Sequence, residues 1–212
     1  MMQELVGYWA ADYDWRRVES RLNDLQQFTT EIDGLEIHFV HARSKHVNAL
    51  PLIITHGWPG SIIHNLKIID PLTNPTARGG GALDAFHVVI PSMPGYGISA
   101  RPAAVGSDPA RIACAWVVLM RRLGYAQFVA QGGDRGAIVT DVMATQGHPE
   151  LIRAVSRDPA KPSRQCRVAL RRSPRRSRIT RLRSDQPPGA PWRNRPCRQR
   201  PHEMRARWTA VH

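Results

Sequence analysis

Gln131-Gly132-Gly133-Asp134-Arg135-Gly136 is the stretch of this 212-residue chain whose residue types and spacing most clearly suit chemistry. The β-formers Phe128-Val129-Ala130 lead into it, and an apolar, helix-like segment from Ala137 to Ala144 follows. The pattern predicts strand, tight glycine turn and helix, with a carboxylate at the tip. It fits a nucleophile elbow, G-x-Nu-x-G, with aspartate where serine more often stands. Gly132 and Gly136 allow the sharp turn and a close approach of the helix. The helix N-terminus behind Asp134 favours its negative charge. The competing reading is a plain glycine-rich turn with a solvated aspartate, and a hexapeptide alone does not decide between them.

The elements that must position Asp134 shift the balance. Leu50 to Thr55 and Phe86 to Ile90 are short continuous apolar runs, as buried parallel strands require. The first ends in His56-Gly57-Trp58-Pro59-Gly60-Ser61 and is followed by a helix-like run from Ile62 to Leu72. The second ends in the turn-dense loop Pro91-Ser92-Met93-Pro94-Gly95-Tyr96-Gly97-Ile98-Ser99. Between that loop and the third strand lies a helix with every start and stop signal: Asp108 as cap, Pro109 in its first turn, Arg121 and Arg122 in its last, and Gly124 beyond. Strands alternating with helices predict a parallel α/β sheet, whose reactive loops lie beyond the carboxyl ends of the strands. The loops at 56–61, 91–99 and 131–136 therefore converge at one sheet edge.

Upstream, Trp15, Val18, Leu22 and Leu25 form one apolar helical stripe that Asp14 could cap. Asp33-Gly34 between two alternating runs predicts a hairpin, with Leu35, Ile37 and Phe39 on one face and Glu36 and His38 on the other. His38, His41 and His46 do not converge on a metal and are read as surface residues. No cofactor or metal site is read from the chain.

From about Leu5 to Val155 the chain resembles the microsomal-type epoxide hydrolases of the α/β-hydrolase superfamily. The resemblance is carried by DYDW (12–15), FTTEIDGLEIHFVH (28–41), THGWPGS (55–61), DAFHVVIPSMPGYGIS (84–99), MRRLGY (120–125) and QGGDRGA (131–137). It implies an α/β-hydrolase fold, a parallel-majority sheet with flanking helices, incomplete at its C-terminal half. It implies that Asp134 is the nucleophile and that the backbone N–H groups of Trp58 and Arg135 form the oxyanion hole. His56, Gly57, Pro59, Gly132, Gly133 and Gly136 support the two motifs. An epoxide carbon is a strained electrophile that a carboxylate can open to an ester. Water then attacks the aspartate's own carbonyl, and two N–H groups stabilise the oxyanion. Serine would give an ether with no carbonyl to attack, which argues against an esterase. The implied substrate is a small hydrophobic epoxide. Arg135 stands where the family has tryptophan; its charge is expected to depress the Asp134 pKa by opposite-charge pairing.

The net charge of +13 is localised. Residues 1–155 hold 13 Lys and Arg against 14 Asp and Glu, a net of −1, whereas residues 156–212 hold 17 against 3, a net of +14. Three regions follow: a helix and hairpin at 1–45, a partial core at 46–155, and an Arg/Pro-rich tail at 156–212, expected to be disordered. Sixteen arginines against one lysine, with eight prolines, fit out-of-frame reading of GC-rich coding DNA. The rival is a genuine basic tail for a polyanion; it lacks interleaved aromatics beyond Trp192 and Trp208, which weighs against nucleic acid. Asp158, His202 and His212 have no assigned role. If the family match stops near Val155, the histidine, its acid partner and the lid are missing, product release is impaired, the strand carrying Asp134 becomes a sheet edge, and the N-terminal helix loses packing partners. Cys114, Cys166 and Cys197 lie in no metal-ligand spacing, and an odd number without a framework implies a reducing compartment. No stretch approaches the roughly 20 apolar residues of a membrane span. With no signal peptide in view, the cytoplasm is expected.

Overall fold

The computed structural model describes residues 1–103, 105–157, 167–170 and 209–210, with side chains for 1–103 and 105–155. The strands are β1 (Gln27–Ile32), β2 (Leu35–Ala42), β3 (Leu50–Thr55), β4 (Phe86–Pro91), β5 (Phe128–Gly133), β6 (Leu151–Arg157), β7 (Arg167–Leu170) and β8 (Thr209–Ala210). The helices are α1 (Met2–Ala11), α2 (Arg16–Asn23), α3 (Leu66–Thr73), α4 (Pro109–Arg122) and α5 (Arg135–Thr145). One mixed sheet runs β7-β6-β5-β3-β4-β2-β1-β8. Its centre, β4, β3, β5 and β6, is parallel, and β2, β1, β8 and β7 pair antiparallel outside it.

The continuous apolar runs are explained by burial on both faces. Ile53 and Val89 point into one core with Phe39, Trp116, Phe128 and Met143, on the side of α4 and α5. Leu52, Ile54, Val88 and Ile90 point into the other with Ile69 of α3. Leu35, Ile37 and Phe39 share the first core, as their alternation predicts. Asp33 and Gly34 both adopt positive φ, 53° and 73°, the conformation that closes a two-residue hairpin. Asp108 caps α4 by accepting from the Arg111 N–H at 2.9 Å.

Several expectations are corrected. The strand carrying Asp134 is no edge: β5 lies between β3 and β6, with Ala130 opposite both Ile53 and Ala154. Leu151 and Ala154 are buried there, in a strand whose arginines and adjoining charged stretch break any readable periodicity. In the tail expected to be disordered, β7 and β8 pair with β6 and β1, and the rest lies outside the described residues. The predicted N-terminal helix, α2, keeps partners, since Leu22 and Leu25 pack on the second core. The preceding α1 was not predicted, and it buries no residue. Cys114 is disulfide-bonded, against the expectation of thiols without a framework; Cys166 and Cys197 lie outside the described residues. No helix among the described residues is long and apolar enough to cross a membrane.

His38 and His41 are buried, not on the surface, and His46 is half-buried with its Nε2 3.3 Å from Thr76 Oγ1. His38 Nε2–H donates to Gln27 Oε1 at 2.9 Å, and its Nδ1 accepts from Ser92 Oγ at 3.0 Å. Its backbone N–H donates to Ser99 Oγ, whose hydroxyl donates to the Ser92 carbonyl. Gln27 Nε2 completes the chain by donating to Leu22 O at 2.8 Å. This network pins the 91–99 loop to the hairpin. His41 Nε2 lies 2.8 Å from the Tyr125 hydroxyl.

Burial lowers the pKa of both His38 and His41 from 6.5 to about 4. The folded state therefore holds neutral rings, while the unfolded chain binds protons once the pH drops below 6.5. Stability contributed by the neutral rings is present above pH 6.5 and declines toward pH 4, where the folded state also takes up protons. The thermal midpoint is expected to fall across that window, and His38→Gln to flatten the slope. Equal slopes in parent and variant would remove His38 from the account.

Candidate active site

Asp134 ends the turn between β5 and α5 with φ 54° and ψ −122°. A non-glycine residue in this region costs about 1–3 kcal/mol and persists only where the surroundings over-determine it. Three glycines supply that constraint by close approach. A Cβ on Gly132 would lie 2.1 Å from the Gly136 carbonyl oxygen, and one on Gly136 would lie 2.2 Å from that of Thr55. A Cβ on Gly57 would lie 2.6 Å from Asp134 Cβ. Gly133 differs, because no atom comes within 4 Å of its Cβ position. Trp116 Nε1 donates to Thr55 Oγ1 at 3.0 Å and fixes the end of β3 against α4.

The Trp58 N–H donates to Asp134 Oδ1 at 2.8 Å. That donor, then the Arg135 N–H, holds the carboxyl below its usual range; burial opposes the shift, and the Arg135 charge adds the smallest contribution. The lowering expected from the Arg135 charge is present, but the two backbone N–H groups are its main cause. The Arg135 side chain is exposed, and water screens its charge while the N–H groups point at the carboxylate. Arg135→Ala is expected to leave the Asp134 titration nearly unmoved, as read by carboxyl NMR. A return to the ordinary carboxylate value would assign the shift to the side chain.

His56 positions the Trp58 donor. Its Nε2 accepts from the Met93 N–H at 3.1 Å, so the proton sits on Nδ1, which donates to the Gly57 carbonyl at 3.0 Å. The ring also lies edge-on to Tyr96, with centroids 5.1 Å apart. Burial lowers its pKa and keeps it neutral. The 56–61 loop is thus tied to the 91–99 loop, which the His38 network ties to the hairpin. Trp58 precedes Pro59 through a cis peptide bond.

The resulting cleft brings together His56, Gly57, Trp58, Pro59 and Asp134, as the sequence predicts, and adds His64 and Asn65. Sequence reasoning does not reach those two, because the run at 62–72 is marked by its apolar residues. Two polar side chains one turn beyond the 56–61 loop were the available signal. Gly132 and Gly136 lie behind the cleft as packing contacts. A more enclosed cavity beside Ile37, Pro94 and Ile112 shares no residue with the cleft and lacks its carboxylate.

The chain matches the family described as Epoxide hydrolase N terminus over residues 1–65 and that described as alpha/beta hydrolase fold over residues 51–202. It is 59% identical over 143 residues to a putative epoxide hydrolase of Stigmatella aurantiaca, covering 68% of this chain and 32% of that protein. It is 40% identical over 147 residues to juvenile hormone epoxide hydrolase 1 of Ctenocephalides felis, covering 68% and 31%. The chain thus spans about a third of the length of these curated relatives. Among solved structures, juvenile hormone epoxide hydrolase from the silkworm Bombyx mori superposes with a TM-score of 0.65 at 37% identity, over 71% of this chain and 40% of that one. Aspergillus niger epoxide hydrolase gives a TM-score of 0.55 at 35% identity, over 68% and 36%.

Proposed function

The chain belongs to the α/β-hydrolase fold family and carries an epoxide hydrolase N-terminal region; from that premise we propose that it opens small hydrophobic epoxides, with Asp134 as the nucleophile. The observation that carries this reading is the Trp58 N–H on Asp134 Oδ1, at a turn that holds Asp134 in a strained conformation. Asp134 Oδ attacks an epoxide carbon, the ring C–O bond breaks, and an ester forms with an alkoxide on the neighbouring carbon, which takes up a proton from water to become a hydroxyl. The carboxylate is pre-ionised by the same N–H groups that would bind the oxyanion when water attacks the ester. Trp58, 62% exposed beside the carboxylate, offers an apolar surface to the substrate. On this reading residues 1–45 are the N-terminal helix and hairpin unit and residues 46–155 the partial core.

Release is slow on this reading. His56 has both ring nitrogens engaged and is not available to activate water. The test is incubation of the protein with styrene oxide, followed by intact mass and peptide mapping. A one-to-one adduct on Asp134, appearing faster than diol, is expected. No adduct, or one mapped elsewhere, overturns the assignment.

A further inference from the structure

Arg135 is the first residue of α5, directly after Asp134, and its side chain is exposed. Its guanidinium makes no hydrogen bond or ion pair among the described residues, whereas Arg78, Arg111 and Arg121 pair with Asp70, Asp33 and Glu150. Asp134 takes its hydrogen bonds from backbone N–H groups instead. The Arg135 charge is felt at that carboxylate, but it is the smallest contribution there. The cleft lining itself holds no lysine or arginine. An anion entering the cleft therefore meets the negative Asp134, and like charges repel. Arg135 offsets that repulsion from the adjoining position. Arginine stays charged at any working pH, and its planar fork matches a carboxylate. Trp58, 62% exposed and bonded through its N–H to Asp134, offers apolar surface at the same carboxylate. An unpaired cation and an exposed indole at one nucleophile suit a substrate with both an anionic and an apolar part.

We propose that the substrates of this site are epoxides that carry a carboxylate, with the Arg135 guanidinium pairing with that group while Asp134 opens the ring. This rests on Asp134 being the nucleophile, and it narrows the hydrophobic epoxide of that reading to an anionic one. In the step, the Asp134 Oδ–carbon bond forms and the carbon–oxygen bond of the epoxide breaks. The electron pair goes to the oxygen, which takes a proton from water and leaves hydroxide. The substrate carboxylate and Arg135 keep their charges throughout. A charge-assisted, forked pair of this kind is stronger than a neutral hydrogen bond and fixes the substrate's orientation. Replacing the side chain leaves the Arg135 N–H in place, so the guanidinium can be tested apart from the oxyanion donors.

The test is the rate of adduct formation on Asp134, in the full chain, with phenylglycidate and with its neutral counterpart phenylglycidol. Both contain the phenyl-substituted ring of styrene oxide, and they differ in charge. The readout is the ratio of the charged to the neutral rate; comparing it between parent and variant cancels the difference in intrinsic reactivity. Arg135→Gln is expected to lower the ratio by at least about fivefold, and Arg135→Lys, which keeps the charge, to retain part of it. The parent ratio is also expected to fall as salt rises from about 0.02 M to about 0.5 M, as an exposed pair requires. A packing role for Arg135 would move both rates together and leave the ratio alone. An equal ratio in parent and Arg135→Gln, or a parent ratio indifferent to salt, overturns the pairing and leaves Asp134 standing. So does a ratio in Arg135→Lys no higher than in Arg135→Gln. A parent labelled at Asp134 by phenylglycidol and not by phenylglycidate overturns the substrate class. A parent labelled there by neither compound overturns both this inference and the reading of Asp134.

Discussion

Asp134→Asn is expected to abolish covalent capture of styrene oxide, by at least about 10³-fold, while leaving the fold intact. A carboxamide oxygen is a poor nucleophile, so the ester cannot form at a useful rate. The fold has little reason to respond. Asparagine keeps the shape of aspartate, can accept from the Trp58 N–H through its Oδ1, and tolerates positive φ better than most residues. The loss of one charge at the start of α5 changes the helix-terminus interaction by about 0.3–1 kcal/mol. Thermal melts of parent and variant should nearly coincide. The pairing of unchanged stability with lost capture separates a chemical role from a packing role. Capture that survives in Asp134→Asn would place the nucleophile elsewhere, and peptide mapping of that adduct would name it.

The parts of the site legible in the sequence are those fixed by local rules. A strand, a glycine turn and a helix announce an elbow without reference to the rest of the chain, and Asp134 was found that way. The convergence of the 56–61, 91–99 and 131–136 loops followed from the alternation of strands and helices. What local rules do not encode is which side chains tertiary contacts bury. His38 alternates with apolar residues and looks solvent-facing, yet that second face of β2 is covered as well, and Gln27 of β1 and Ser92 of the 91–99 loop satisfy it; His41 falls on the face of Ile37 and Phe39, where Tyr125 satisfies it. Formal charges are visible in a sequence, so the sequence points to Arg135 as the cause of the Asp134 shift. The aim of a backbone N–H is not visible there, and here that aim is the larger effect. Strand β6 was hidden because its residues pair with β5 through backbone groups common to all residues. Only Leu151 and Ala154 mark it as buried.

Gly136→Ala is expected to lower stability by about 3 kcal/mol or more, enough to remove a large share of the 5–15 kcal/mol typical of a domain. The added methyl would sit 2.2 Å from the Thr55 carbonyl oxygen and 2.7 Å from that of His56, both backbone atoms. Neither can turn aside as a side chain would. Relief requires α5 to move away from β3, which separates Asp134 from the Trp58 N–H. Alanine in a helix would otherwise gain about 0.4–1 kcal/mol by restricting the unfolded chain, so a loss would mark the clash as dominant. Gly133→Ala supplies the comparison three residues earlier. Its Cβ position has no atom within 4 Å and its φ is not positive, so it is expected to change stability by less than about 1 kcal/mol. Urea midpoints of the two variants therefore distinguish two roles that the glycine-rich motif presents alike. A Gly136→Ala midpoint no lower than that of Gly133→Ala would mean that the turn is held by something other than the close contact of α5 with β3. The strain at Asp134 would then need another source.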